Sequence, residues 1–324
     1  MTHAPDRRAL VKRLARWAIS ALAIAFVIWM LPFRDRCTDR GCEDGLLTTF
    51  RRTNLPLLGA LFTVYLAGSV AWAARWRGLL RLADVHLSLR AAWRVTLEAQ
   101  AGGILLPGGV GGDALRIAFV KDRVPEAALT KIVASIMADR IVGLVTLATL
   151  ALGLGLVFDA GRSLALPVLA GIPAGAAALW LLIRHPGLRG TRLVQSKLGA
   201  RLVQPFLEYA AASGGPRALG YGFLMSLLVS AAQLVVVRGL VATVGVAPAS
   251  EGACIVGCTF AMIVAALPIS PGAWGTAEAA YVFFLAPVGI PPPAAAAVCL
   301  LFRLMWYVMG SMGAVSAFAR GERT

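Results

Sequence analysis

The order of apolar and polar positions divides this chain into long hydrophobic runs separated by short, mostly basic connections. Crossing the ~30 Å hydrocarbon layer takes about 20 apolar residues in a helix. That length predicts six full spans, at 17–33, 55–74, 132–158, 164–183, 220–244 and 294–318. Two further apolar segments, 95–120 and 254–286, are interrupted near their middles by glycine and proline, and their halves are too short to cross. Each predicts a re-entrant helical hairpin, because non-helical backbone is tolerated at membrane depth only inside protein or beside a cavity. A partly amphipathic stretch at 202–212 reads as interfacial. The expected fold is an all-α polytopic membrane protein with about six spans plus two hairpins. Counted as spans, the hairpins bring the total to about eight helices.

The two interruptions share a pattern. The first contains Pro107, Gly108, Gly109, Gly111, Gly112 and Asp113; the second contains Pro271, Gly272, Gly275 and Glu278. With one inserted residue, the proline, first glycine, central glycine, acid and following alanine coincide, about half the chain apart. Each acid is followed by an arginine inside an apolar run: Arg140 lies 27 residues after Asp113, and Arg303 lies 25 after Glu278. This predicts a duplicated element with halves at about 55–184 and 217–318. Both belong to a single transmembrane domain, 17–318, between a basic tail at 1–16 and a short tail at 319–324.

Charge then sets the orientation. With the N-terminus inside, the cytoplasmic segments carry 21 Lys and Arg residues and the external loops six. The positive-inside rule places both termini in the cytoplasm. The first external loop is the exception, with five arginines, although four acids accompany them. In this orientation the hairpins enter from opposite faces, forming an inverted repeat. Many secondary transporters use that arrangement to hold a substrate at the midplane between broken helices.

Composition agrees with a membrane protein: 59% of residues are hydrophobic and 15% charged, against about 25% charged in a soluble domain. A net charge of +15 suits loops that face anionic headgroups and does not call for nucleic acid. The run Gly109–Ala114 also fits a dinucleotide-binding glycine pattern, but that pattern needs a preceding strand, which a membrane segment does not supply. No cleavable signal peptide is apparent in the first 34 residues.

Breaking a helix frees backbone N–H groups, and a helix starting near Gly112 or Thr276 points its positive end into the interior. A lipid phosphate is the natural ligand for such an end. Arg116, Arg140 and Arg303, with Gly108, Gly109, Gly111, Gly112, Gly272 and Gly275, are therefore candidates for headgroup binding. Asp113, Glu278, Asp139 and Glu98, with Pro107 and Pro271, are candidates for gating or coupling. The plainer reading is that the acids neutralise the arginines and the glycines permit close packing. The only histidines, His3, His86 and His185, lie in the tail and in basic connections, so no nucleophile–base pair or metal-ligand cluster is expected, and no cofactor. Cys254 and Cys258 read as small buried hydrophobes. Cys37 and Cys42, in an external loop, are placed to form a disulfide.

The motifs at 106–113, 139–143 and 267–278 resemble the lysylphosphatidylglycerol synthase transmembrane region, a flippase-like integral membrane family, over about residues 15–318. Members include the lipid-flipping part of bacterial multiple-peptide-resistance proteins and stand-alone proteins of hopanoid or polyprenyl-glycan pathways. The resemblance implies translocation of a phosphate-bearing, anionic or polyprenyl- or glyco-linked lipid across the bacterial inner membrane. The soluble aminoacyl-transferase domain of full synthases is not in this sequence, so a transporter is expected rather than an enzyme. Two alternatives stand beside it: a membrane transferase using Asp113 or Glu278 as base, and a non-transporting scaffold for lipid or glycan synthesis. The expected partner is a membrane phospholipid or lipid-linked substrate, with a homo-oligomer or a lipid-synthesis enzyme left open. The second motif departs from the first at Trp274, Thr276 and Ala277, so the two need not act equivalently.

Overall fold

The computed structural model describes residues 33–38, 41–105, 110–121, 129–158, 214–267 and 270–321, together with Ala25, Tyr209 and Ala211. The expected spans 17–33 and 164–183 lie almost wholly outside these residues, so four of the six are described. In chain order a two-stranded antiparallel ribbon, β1 (Arg36–Thr38) and β2 (Gly41–Glu43), leads into a short helix α1 (Leu46–Arg51). Then come α2 (Leu55–Leu80), α3 (Leu89–Leu105), α4 (Val110–Lys121) and α5 (Leu129–Val157). The second half repeats the order with α6 (Gly215–Thr243), α7 (Glu251–Ala266), α8 (Thr276–Leu285) and α9 (Pro292–Gly321). Apart from the ribbon, the regular structure among the described residues is helical.

Four segments are long and apolar enough to cross a membrane: Leu55–Ala83, Leu129–Val157, Gly215–Thr243 and Pro292–Ala317. They match the four expected spans within the described residues. The boundaries follow local chemistry. Asn54 caps α2, its side chain accepting from the Leu57 N–H at 3.0 Å, with a proline in the first turn. Ser250 caps α7 in the same way. One boundary corrects the sequence reading. The run 55–74 does not stop at Arg75; α2 continues to Leu80 and buries both Arg75 and Trp76. Apolar neighbours on α5 and α6 and an acidic partner make that burial tolerable.

The long helices pack through small residues, the usual device where lipid offers no hydrophobic drive for association. Helices α2 and α6 run antiparallel. Asn54 N donates to Thr243 O at 3.0 Å at one end. A Cβ added at Gly239 would lie 2.5 Å from Leu61, one at Gly68 3.0 Å from Ala232, and one at Gly78 2.7 Å from the Tyr221 ring. Helices α3 and α9 cross more tightly still, where a Cβ on Gly313 would lie 2.1 Å from the Leu97 carbonyl oxygen. The main apolar core joins α2, α6, α7, α8 and α9. Tyr209 is buried, its hydroxyl donating to the Leu79 carbonyl; apart from it and Ala211, the stretch 202–212 lies outside the described residues.

Between the long helices lie two helix–break–helix units, α3/α4 and α7/α8, where the interrupted segments were expected. Their second arms have 12 and 10 residues, about 18 and 15 Å at 1.5 Å per residue, too short to cross alone. Glycine holds each pair of arms together. A Cβ on Gly112 would lie 2.7 Å from Ala99 O, and one on Gly257 2.7 Å from Phe284 O. In both units a side chain in place of that hydrogen would force the arms apart.

Candidate functional site

A cavity of about 530 Å³ lies beside α3 and α4, within the range that holds small ligands. Three helices supply its charged side: Arg75 from α2, Asp113 and Arg116 from α4, and Asp139 and Arg140 from α5. The innermost group is a buried triad. Arg75 Nε donates to Asp139 Oδ1 at 2.6 Å, and Arg116 Nη1 donates to Asp139 Oδ2 at 3.2 Å. Trp72 Nε1 donates to the same Oδ2 at 3.2 Å, and Arg75 Nη1 donates to the Ser226 hydroxyl at 2.9 Å. The Arg116 guanidinium also lies over two indole rings, 5.4 Å from the centroid of Trp72 and 5.0 Å from that of Trp76. Such cation–π contacts contribute most where water is excluded.

The local sequence explains this arrangement. Trp72, Arg75 and Trp76 stand at i, i+3 and i+4, so one face of α2 presents all three. Gly143 stands one turn beyond Asp139 and leaves room for the guanidinium, since a Cβ there would lie 3.0 Å from Arg75 Nη1. Arg116 finds Asp139 on α5, while the neighbouring Arg140 turns to α4. Its Nε and Nη2 both reach Asp113 Oδ2, at 2.8 and 2.5 Å. That pair sits at the rim, with the Arg140 side chain 54% exposed, whereas the Asp139 side chain is 2% exposed. The cavity thus has a buried floor and an accessible mouth.

The second motif builds a separate cluster. Gly272, Ala273 and Gly275 all take positive φ, at 61°, 54° and 77°. This turns the Gly272 and Ala273 carbonyls toward Arg303, which donates to them at 2.8 and 3.3 Å. Arg303 also donates to Glu278 Oε1 from Nη2 at 2.7 Å and from Nε at 3.1 Å, and stacks 4.0 Å from the Trp274 ring centroid. The other Glu278 oxygen accepts from the Gly275 N–H at 2.7 Å, capping α8 from its third residue. Ser270 closes the turn through the Trp274 carbonyl and the Thr276 hydroxyl, both at 2.9 Å.

The expected acid–arginine pairs therefore form in both halves, but only the first set lines the cavity. Arg116, Arg140, Asp113, Asp139 and Gly112 are brought together there. Arg303, Glu278, Gly272 and Gly275 are not among its lining residues; the second unit contributes Ala266 and Leu267, just before its break. Gly111 is buried in the first turn of α4, and Pro271 starts the second turn. Pro107, Gly108 and Gly109 lie outside the described residues. Glu98 is buried on α3 beside the α9 crossing and does not line the cavity.

Sequence reasoning missed Arg75, assigned to a loop, and the neutral side chains Thr96, Gln100, Ser230 and Gln233 that line the same space. The tryptophan–arginine spacing on α2 was the available signal for the first. Arg75 and Arg116 also leave the loop tally on which the orientation was argued.

Four segments among the described residues are long and apolar enough to cross a membrane, which makes this a multi-pass membrane protein. No curated protein and no solved structure matches the chain. The model of the lysylphosphatidylglycerol synthase TM region matches residues 13–313, nearly the whole sequence, and the chain belongs to that family.

Proposed function

We propose that this protein is a lipid flippase that moves a phosphate-bearing lipid across the bacterial inner membrane. The headgroup passes through the charged cavity while the acyl chains remain in the bilayer. The observation that carries this reading is the buried Arg75–Asp139–Arg116 triad. Charges removed from water are costly unless paired, and ionisable residues within spanning helices usually serve function. Two guanidinium groups share one carboxylate here, and the cavity lining as a whole carries three arginines against two aspartates. The surplus positive charge suits a phosphate, which the guanidinium fork recognises with two parallel hydrogen bonds. Among the described residues, Asp139 is the only hydrogen-bond acceptor of Arg116, so most of that fork is available to a ligand. Family membership supports a lipid-related role.

In this reading the two helix–break–helix units are re-entrant hairpins of an inverted repeat with both termini in the cytoplasm. The Asp113–Arg140 pair works as the accessible gate, and the Glu278–Arg303 cluster closes the other hairpin. The protein moves lipid and does not modify it. The test is reconstitution into liposomes with a fluorescent phosphatidylglycerol and an impermeant quencher. Arg116→Ala leaves Asp139 paired with Arg75, so it is expected to fold and to lose lipid movement. Wild-type movement by a folded Arg116→Ala variant would overturn the proposal.

A further inference from the structure

A second, much smaller void adjoins the charged cavity. It lies between α2, α6 and α9, and its volume of about 10 Å³ has room for little more than one water molecule. Trp72, Val229 and Gln233 line both spaces and so form the partition between them. The level of this partition follows from the antiparallel packing of α2 on α6. Gly68 stands against Ala232, where an added Cβ would lie 3.0 Å away. The adjacent Ser69 and Gln233 share that level, which is the middle of α2 (Leu55–Leu80). Arg75, on the floor of the cavity, is seven residues from Gly68 toward the α2 C-terminus, about 10 Å at 1.5 Å per residue. The buried charges thus lie to one side of the helix midpoint, and Gln233 stands at it.

The polar groups at this level differ in what they are free to do. Trp72 Nε1 donates to Asp139 Oδ2 at 3.2 Å and belongs to the triad. Ser69 accepts from Trp93 Nε1 at 2.8 Å and donates to the Leu66 carbonyl at 2.6 Å. Among the described residues, the half-buried Gln233 carboxamide has no hydrogen-bond partner, although apolar residues follow it along α6. A polar side chain within a spanning helix is costly and usually serves function. Its two N–H donors and its carbonyl offer a phosphate oxygen and a headgroup hydroxyl or ammonium a partner each. Being neutral, it holds them more weakly than a guanidinium does. A path through a membrane needs such sites, where binding is favourable enough for entry and weak enough for release.

Resting on the flippase reading, we propose that Gln233 is a second headgroup station on the translocation path, taking the headgroup from the arginine triad at the middle of the membrane. The void between α2, α6 and α9 is the closed continuation of that path. Beyond it the two helices meet without a gap, since a Cβ on Gly239 would lie 2.5 Å from Leu61. Passage past Gln233 therefore requires the α2–α6 seam to part. The triad governs capture, and the station governs the rate of crossing.

The test separates rate from retention in the full chain. Movement of fluorescent phosphatidylglycerol is followed in liposomes with an impermeant quencher, and retention of phosphatidylglycerol by native mass spectrometry in micelles. Gln233→Leu is expected to slow movement about threefold to tenfold, the worth of one neutral hydrogen bond. Retention is expected to stay within about twofold of wild type, because the triad is untouched. Gln233→Asn keeps donor and acceptor on a shorter stem and is expected to recover part of the rate. Gln233→Met, close to glutamine in length, carries the same expectation as Gln233→Leu and replaces it if thermal unfolding shows the leucine variant to be misfolded. Movement at the wild-type rate in the folded apolar variant overturns the station. A parallel fall in rate and retention also overturns it, by making Gln233 part of the capture site. A rate for Gln233→Asn no higher than for the apolar variant assigns the residue to packing and overturns it too. A wild-type chain that moves no lipid, or movement untouched by Arg116→Ala, contradicts the flippase reading itself and this proposal with it.

Discussion

Arg75 Nε and Asp139 Oδ1 meet at 2.6 Å although 64 positions separate them in sequence. This contact fixes the floor of the cavity. It ties α2 to α5, and because Arg116 reaches the other Asp139 oxygen from α4, three elements of the first half are joined at one carboxylate.

Removing that carboxylate leaves two buried guanidinium groups without their counter-charge. Asp139→Asn is expected to destabilise the protein by about 3–5 kcal/mol, the usual cost of breaking a buried pair from one side. Thermal unfolding in detergent measures it. A melting temperature unchanged from wild type would mean the triad is not the structural joint described above.

Replacing all three members together has a different outcome. Arg75→Met/Arg116→Met/Asp139→Leu removes every charge of the triad and keeps the volume roughly constant. Such exchanges are often neutral or stabilising. The triple variant is expected to melt at or above the temperature of Asp139→Asn and to move no lipid. Lipid movement by the triple variant would show that the charges are dispensable.

The two acid–arginine pairs differ in depth, and conservative substitution separates them. Arg303 uses both edges of its fork, two backbone carbonyls and the face of Trp274. A lysine reproduces neither the fork nor the stacking. Arg140 is half exposed, and exposed pairs contribute about 0–1 kcal/mol. Arg303→Lys is therefore expected to lower the melting temperature clearly and Arg140→Lys very little. Equal shifts would contradict the closed geometry of the second cluster.

Glycine positions give an internal control on packing. A Cβ at Gly313 would lie 2.1 Å from a backbone carbonyl, whereas one at Gly153 meets nothing within 4 Å. Gly313→Ala is expected to cost about 1–3 kcal/mol through overpacking of the α3–α9 crossing. Gly153→Ala should be neutral or gain up to about 1 kcal/mol from helix propensity. Unfolding temperatures of the two variants, compared directly, decide the matter.

Much of this fold is legible in the sequence because apolar length is a strong signal. The spans at 55–74, 132–158, 220–244 and 294–318 and both interrupted segments fall on the helices that form. The pairing of Asp113 with Arg140 and of Glu278 with Arg303 follows from spacing within a repeated motif. Arg75 was not legible, since an arginine ending an apolar run and followed by Arg77 looks like a loop boundary. Only the approach of α5 reveals its partner. The motifs showed at Trp274, Thr276 and Ala277 that the halves need not act alike, but not how they differ. The left-handed turn at Gly272–Gly275 brings its carbonyls onto Arg303 and so closes the second cluster, a consequence of backbone conformation rather than of residue type. Gln233 was invisible for a related reason: a neutral polar residue on an apolar helix gains meaning only from what it lines.

The most direct test of the central claim, that the buried triad holds a phosphate headgroup, uses protein extracted gently from its host membrane. Native mass spectrometry would compare the wild type with Arg75→Met/Arg116→Met/Asp139→Leu, after thermal unfolding has shown both to be folded. The expected result is a phosphate lipid retained by the wild type and absent from the triple variant. The same lipid retained at equal occupancy by both would contradict the account.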